Sequence, residues 1–384
     1  MRKFHFLLII VSLILVLSGC WDRTEINDLA YVVATGVDKG QKQRYRFSVQ
    51  VPLPSSLGGA GSSGGGGGTS GEGPFFVARG TGRNLQEGME DIQARLSREL
   101  YFAHRRVLII GEEQARAGIM EILNSVFIQP QSRLSTFLIV SKGDAVKLLK
   151  AEPKMEQFSA EAIREMAKTG SDQTVKDVMQ DIDRPGQEAI VPLIETTGTM
   201  KKDKNGKEVL MDSFAVFKGD KLSFITNHRE SHGILWLIEK MNKKDYSFSV
   251  SKDKEMTVRI INQNVHRRFT TVNGRPKFDL SVRVTGTLLE NEPNLRIEDP
   301  KTYHFIIDKM EQKIKQDIQI ILKHSHSHGV DVNGFGWYLF KKQNQKWENN
   351  WKNGWEDLLH NLKVNVKVDA DIQRTTNSGR IEKE

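Results

Sequence analysis

Only one cysteine, Cys20, occurs in the 384 residues. A lone thiol excludes a disulfide framework, which needs an even set. It also excludes thiolate metal sites and cysteine nucleophiles from the rest of the chain. Long apolar runs are missing too. Phe6 to Leu17 falls short of the about 20 residues that a permanent spanning helix needs, and no other run reaches that length. There is no basic stripe: 56 Lys and Arg are interleaved with 48 Asp and Glu. A nucleic-acid binder concentrates its basic residues on one element, so no nucleic-acid partner is expected. No P-loop, dinucleotide fingerprint, zinc-protease helix or paired-carboxylate spacing appears. No cofactor is therefore expected, and no catalytic residue is assigned.

What is present begins at the N-terminus. Arg2 and Lys3 precede the apolar run, which leads into Leu17-Ser18-Gly19-Cys20. Positive charge, a short apolar stretch and small residues are the layout of a secretory signal. The last four residues resemble the bacterial lipobox, whose thiol receives a diacylglyceryl group as a thioether. The expectation is a signal peptide over 1–19, cleavage between Gly19 and Cys20, and lipid on Cys20. Two or more acyl chains give stable anchoring where one gives marginal residence. Removing Arg2 and Lys3 leaves 54 basic against 48 acidic residues, a net of +6. That suits a weak attraction to anionic headgroups.

The mature chain is long enough for two or three domains. Leu29 to Val37 is a β-rich apolar run. Tyr45, Phe47, Val49 and Val51 alternate at strand period, and Asp38-Lys39-Gly40-Gln41 supplies a turn between the two. Residues 54–74 are Pro/Ser/Gly-rich and too poor in apolar surface to offset ordering entropy, so a flexible loop is expected. Gly61-Ser62-Ser63-Gly64-Gly65 matches the hydrolase nucleophile pattern, but a glycine tract cannot hold the strained elbow it requires. Phe75 to Arg79 reads as a strand, and Asn84 caps a helix whose face is Leu85, Met89, Ile92 and Leu96.

Strand, helix, strand and helix follow over Arg106–Ile110, Glu112–Val126, Leu134–Val140 and Asp144–Lys150. Two short helices over 157–182 and a closing strand, Ala189 to Ile194, complete an α/β module over 20–195 with a mixed sheet. After it, strand candidates cluster at Val209–Phe217, Leu222–Thr226, Tyr246–Val250, Met256–Val265 and Phe278–Leu289. Asp203-Lys204-Asn205-Gly206 and Asn273-Gly274 are turn signals. A helix near Glu230 to Lys240 interrupts the strands. A long amphipathic helix carries Ile307, Met310, Ile314, Ile318, Ile321 and Leu322. A strand then alternates Val364, Val366, Val368, Ala370 and Ile372. The fold class is mixed, with an α/β module followed by α+β modules over 196–275 and 276–384.

Several of these stretches resemble one family, the GerC-type lipoprotein subunits of spore nutrient-germinant receptors. They are Gly19-Cys20-Trp21-Asp22-Arg23-Thr24-Glu25-Ile26-Asn27, Gly80-Thr81-Gly82, and Leu100 to Gly111 with its His104-Arg105-Arg106 centre. Phe214-Ala215-Val216-Phe217-Lys218-Gly219-Asp220-Lys221-Leu222 follows, and then Asp331-Val332-Asn333-Gly334-Phe335-Gly336 with Trp347, Trp351 and Trp355. The resemblance spans nearly the whole mature chain. It implies a lipoprotein on the outer face of the spore inner membrane, in complex with multi-pass A-type and B-type subunits and serving nutrient-triggered germination. Only Cys20 carries over with a chemical role. Gln345-Lys346 replaces the family's proline near Trp347.

Three groups invite further readings. His324, His326 and His328 near a helix end are weak metal candidates, since imidazoles at i and i+4 share a face. A solvated helix end suited to the macrodipole is the blander reading. Trp347, Trp351, Trp355, Leu358 and Leu362 would share one helix face, as core or as a partner interface. His104-Arg105-Arg106, near Glu87, Glu90 and Asp91 in sequence, suggests ion pairs. The leading expectation is a non-enzymatic, lipid-tethered receptor subunit. A solute-binding lipoprotein of a transporter and a membrane-tethered hydrolase are its rivals.

Overall fold

The computed structural model describes residues 4–5, 25–53, 74–199 and 207–373. Gly19, Cys20, the glycine-rich stretch from 54 to 73 and the turn at Asp203 to Gly206 lie outside the described residues.

The first half runs β1 (Leu29–Tyr31), β2 (Ala34–Lys39), β3 (Tyr45–Pro52), β4 (Phe75–Gly82), α1 (Leu85–Gln93), β5 (Glu99–Tyr101) and β6 (Val107–Gly111). It continues through α2 (Glu112–Ala117), α3 (Met120–Ile128), β7 (Phe137–Ser141), α4 (Ala145–Leu149), α5 (Ser159–Thr169), α6 (Val175–Asp183) and β8 (Ile190–Thr197). Asn84 caps α1 as its sequence predicts, its side chain accepting from Glu87 N at 2.9 Å. The helix expected over Glu112 to Val126 is two helices. Gly118 breaks it at φ +127°, a conformation closed to residues with a side chain.

β2, β6, β7 and β8 are parallel neighbours. Val107 to Ile110 and Leu138 to Val140 are buried throughout, as strands covered on both faces must be. Two apolar clusters flank them, one under α2, α3 and α6, the other under α4 and α5. Polar residues also enter the second layer, Gln50 among them. Gln50 donates to Leu149 O at 2.7 Å and accepts from Ala160 N, which ties two helix termini to the strand.

The second half holds β9 (Glu208–Lys218), β10 (Lys221–Ile225), α7 (His228–Leu237), β11 (Asp245–Ser251), β12 (Lys254–Val272), β13 (Arg275–Asn291), α8 (Pro300–Ser327), α9 (Phe335–Lys342), α10 (Trp355–His360) and β14 (Lys363–Gln373). The strand expected to close the first sheet does not close it. β8 pairs antiparallel with β9, and β10 follows, so the sheet has order β10-β9-β8-β7-β6-β2-β3-β4. It therefore runs across the boundary expected at 195. The β12–β13 hairpin likewise crosses the one expected at 275. Asn273 and Gly274 both have positive φ at its tip, the geometry of a two-residue hairpin turn.

The second sheet has order β11-β12-β13-β14, with β14 parallel to β13. Ile307, Met310, Ile314, Ile318, Ile321 and Leu322 of α8 are all buried, so the predicted stripe is the helix's core face. Trp347, Trp351 and Trp355 are buried in the same cluster, but not on one helix. The chain from 344 to 354 winds through an α-helical turn, a π-helical turn and a 3-10 turn, which turns the three indoles to one core.

Candidate functional site

Two of the segments that carry the family resemblance, Phe214–Leu222 and Asp331–Gly336, meet the loop between α6 and β8 at the junction of the two sheets. The loop between α6 and β8 is the first part. Gly186 takes φ +66°, and its carbonyl accepts from Trp337 N at 3.1 Å. Gln187 donates to Asp181, and Arg184 both pairs with Asp181 at 2.9 Å and lies over the Trp337 ring. Glu188 N donates to Asp331 O at 3.3 Å.

Asp331 to Gly336 is the second part. The Asp331 side chain is buried and accepts from Asn333 N (3.3 Å), Phe335 N (3.0 Å) and Gly336 N (2.8 Å). It thus satisfies donors at the start of α9 that would otherwise be orphaned. Gly334 precedes α9 at φ +62°, which permits the tight entry. Asn333 Oδ1 accepts from Arg267 Nη2 at 3.0 Å, which ties the turn to the middle of β12.

Phe214 to Leu222 is the third part. Phe217 N donates to Ala189 O at 3.0 Å. Gly219 N donates to Glu188 Oε2 at 2.7 Å, and Lys218 pairs with Glu356 of α10. Asp220 accepts through its carbonyl from Ile119 N (3.0 Å) and through Oδ2 from Met120 N (3.2 Å). The Lys-Gly-Asp turn thereby seats the α2–α3 break. Ile190, Phe214, Val216 and Phe224 of the first sheet also belong to the apolar core of the second.

Burial sets the charge state here. It raises Glu188 to about 7 and Asp181 to about 6. Asp331 is also raised to about 6, again by burial first, while its three backbone donors oppose that. The arrangement joins two sheets through backbone contacts and a few buried carboxylates. Chemically it can lock them together.

The other sequence candidates are scattered. His324 Nδ1 lies 2.7 Å from Glu230 Oε1, and the His328 ring lies 4.7 Å from that of His324. His326 points the other way and is buried rather than solvated, in correction of the helix-end reading. It lines a cleft of about 480 Å³ with Lys323 and His360, and burial lowers it to about 4. So the three imidazoles do not converge. Among the described residues no cluster of three or more His, Cys, Asp or Glu is placed to hold a metal ion.

The basic trio is corrected as well. Arg106 pairs with Glu161, not with the acids of α1. Arg105 is buried, and its Nη2 bonds Ser132 Oγ at 2.9 Å. Burial lowers it to about 10. Glu87 and Asp91 serve Arg83 and Arg95 instead. A buried network went unread in the sequence. Asp317, fully buried on α8, takes bonds from Arg229 Nε (3.1 Å), Lys313 Nζ (2.6 Å) and Tyr246 OH (2.9 Å). Only its place on the apolar stripe of α8 hinted at burial.

Residues 22–196 match the family model of the spore germination protein N-terminal domain, and residues 212–376 match that of the spore germination B3/GerAC-like C-terminal domain. The chain is 30% identical to protein YfkR of Bacillus subtilis (strain 168) over 84% of each chain. It is 26% identical to spore germination protein KC of the same organism, over 90% of this chain and 89% of the other. Its fold is similar to that of the GerBC protein in a crystal structure, with a TM-score of 0.54 at 15% identity, covering 89% of this chain and 98% of that one. Two family models that together span most of the chain, and a relative 30% identical over 84% of its length, lead to one conclusion: the chain belongs to the GerAC-like family of spore germination proteins, the GerC-type subunits of germinant receptors.

Proposed function

We propose that this chain is the lipid-tethered, non-enzymatic C subunit of a nutrient-germinant receptor, held on the outer face of the spore inner membrane by Cys20. Residues 1–19 direct export and are removed at Gly19–Cys20. The mature chain then docks on a multi-pass A-type and a transporter-like B-type subunit and is needed for the response to nutrient.

One observation carries the reading: the lipobox residues Leu17-Ser18-Gly19-Cys20 contain the sole cysteine of a chain of this family. Among the described residues no helix is long and apolar enough to cross a membrane, which is consistent with a lipid tether. The junction weighs against the solute-binding rival. A binding protein closes a cleft between two lobes, whereas here Gly186 and Gly336 fill that position with backbone in direct contact.

The test is purification of the mature chain from spore membranes in mild detergent. Recovery of the multi-pass subunits supports the proposal; a chain that comes out alone and binds a small nutrient overturns it. Cys20→Ala is expected to release a folded chain from membranes and to weaken nutrient germination. If that variant is cleaved after Gly19 and still sediments with membranes, the tether is not lipid.

A further inference from the structure

Large apolar side chains are normally covered, and a cluster left open needs an occupant. Ile26, Phe127 and Ile128 are 74%, 60% and 76% exposed. They share one end of the first sheet. β2, β6 and β7 are parallel, so the residues entering each of them lie at the same end. Ile26 enters through β1, and Phe127 and Ile128 lie on the segment that enters β7.

Contacts tie the two segments together. β1 pairs with β5 through Leu29↔Glu99. Phe102 N, just after β5, donates to Gln131 Oε1 at 3.2 Å. A cleft of about 410 Å³ runs between them, lined by Met89, Glu99, Leu100, Phe102, Gln129 and Pro130. Gln129 is the next residue after Ile128. The apolar side chains thus flank a single surface.

We infer that this end of the sheet rests on the lipid headgroup layer, with Ile26, Phe127 and Ile128 entering it. The inference depends on the proposed lipid on Cys20. From Cys20 to Glu25 there are five Cα steps, which span at most about 18 Å. The tether therefore keeps this end at the bilayer, while the opposite end lies a further strand length away, about 20 Å for the six residues of β2. Phe and Ile side chains shallowly inserted at an interface add to a lipid anchor and fix the orientation of what it carries.

The opposite end supplies an internal control. Lys42 is exposed in the turn that joins the end of β2 to the start of β3, beyond the pairing of Lys39 with Tyr45. It is open to solvent like Ile128, but on the far side from the tether.

The full lipidated chain would be placed in phosphatidylethanolamine–phosphatidylglycerol vesicles. The Cys20 thiol is consumed by the thioether, so Ile128→Cys or Lys42→Cys offers a single thiol for a bimane label. Vesicles containing brominated lipid should quench the label at 128 at least twofold and leave that at 42 unchanged. A chain that floats with the vesicles and shows equal, weak quenching at both positions overturns this inference and leaves the tether standing. A chain that does not float overturns the tether, and this inference with it.

Discussion

Gly186 and Gly336 meet backbone to backbone: a methyl group added to Gly186 would lie 2.5 Å from the Gly336 Cα, and one added to Gly336 would lie 2.6 Å from the Gly186 Cα. Either would also lie 2.7 Å from the ring of Trp347. Neither backbone nor buried indole can yield cheaply, so the contact admits no side chain on either partner. Gly336→Ala is expected to destabilise the chain by about 2–3 kcal/mol, the upper range for overpacking. Gly186→Ala should cost more, because φ +66° adds about 1 kcal/mol of backbone strain. Urea unfolding of the two variants beside the parent measures both.

Glu188 makes the junction sensitive to pH. Burial lifts its carboxyl from 4.5 to about 7, so the folded chain holds the proton more tightly than the unfolded one. Its contribution is therefore fully present below about pH 4.5 and is lost as pH rises through 7. Glu188→Gln stays neutral and removes this loss. Partial solvent access reduces the effect, and the variant should gain about 1–2 kcal/mol on the parent between pH 5 and 8. Unfolding midpoints across that range, parent minus variant, isolate the group; a flat difference would show that Glu188 titrates normally.

His232 and His326 act in the opposite direction. Burial lowers both to about 4, so each is neutral when folded and takes a proton on unfolding as pH falls below 6.5. Their stabilisation is present above 6.5 and is lost on the way down to 4. His326→Leu should weaken acid unfolding between those limits, read as a shallower fall of melting temperature with pH.

Asp317 anchors α8 to α7 and β11 through Arg229, Lys313 and Tyr246. Asp317→Ala strips a buried network of its one anion and leaves the Tyr246 hydroxyl unpaired. A loss of about 3 kcal/mol is expected. Asp317→Asn keeps the shape and one acceptor and should cost less, which separates charge from hydrogen bonding in the same unfolding assay.

Trp351 decides between core and partner surface. It is buried, and its Nε1 donates to Gly274 O at 3.0 Å at the tip of the long hairpin. Trp351→Ala is expected to cost about 3–5 kcal/mol, as for other large-to-small core changes. Normal stability with lost complex formation would show instead that the indole serves a partner.

Local signals were legible wherever one residue dictates its own backbone. Asn84 caps α1, Asn273-Gly274 turns the hairpin, and the alternation of Val364 to Ile372 sets the face of β14. Signals that depend on a distant partner were not. Gly118 breaks a run that reads as helix because Asp220, about a hundred residues away, binds the amides beyond it. Asp331 looks like a turn residue, and its burial depends on Gly186 and Trp347 closing over the same turn. Two segments of the joint could be picked out by resemblance, but their meeting with the loop around Gly186 emerges only from pairings across the whole chain.

The pairing of β14 with β13 bears on how the chain reaches its final form. Val366, Val368 and Ile372 complete a core that Phe278 and Ile314 begin. A chain delivered N-terminus first cannot finish that core until its last strand is free, so the second half stays open while the first sheet can already assemble through β8. Late closure of this kind makes the 11 residues of β14 the step on which correct assembly of the whole second half waits.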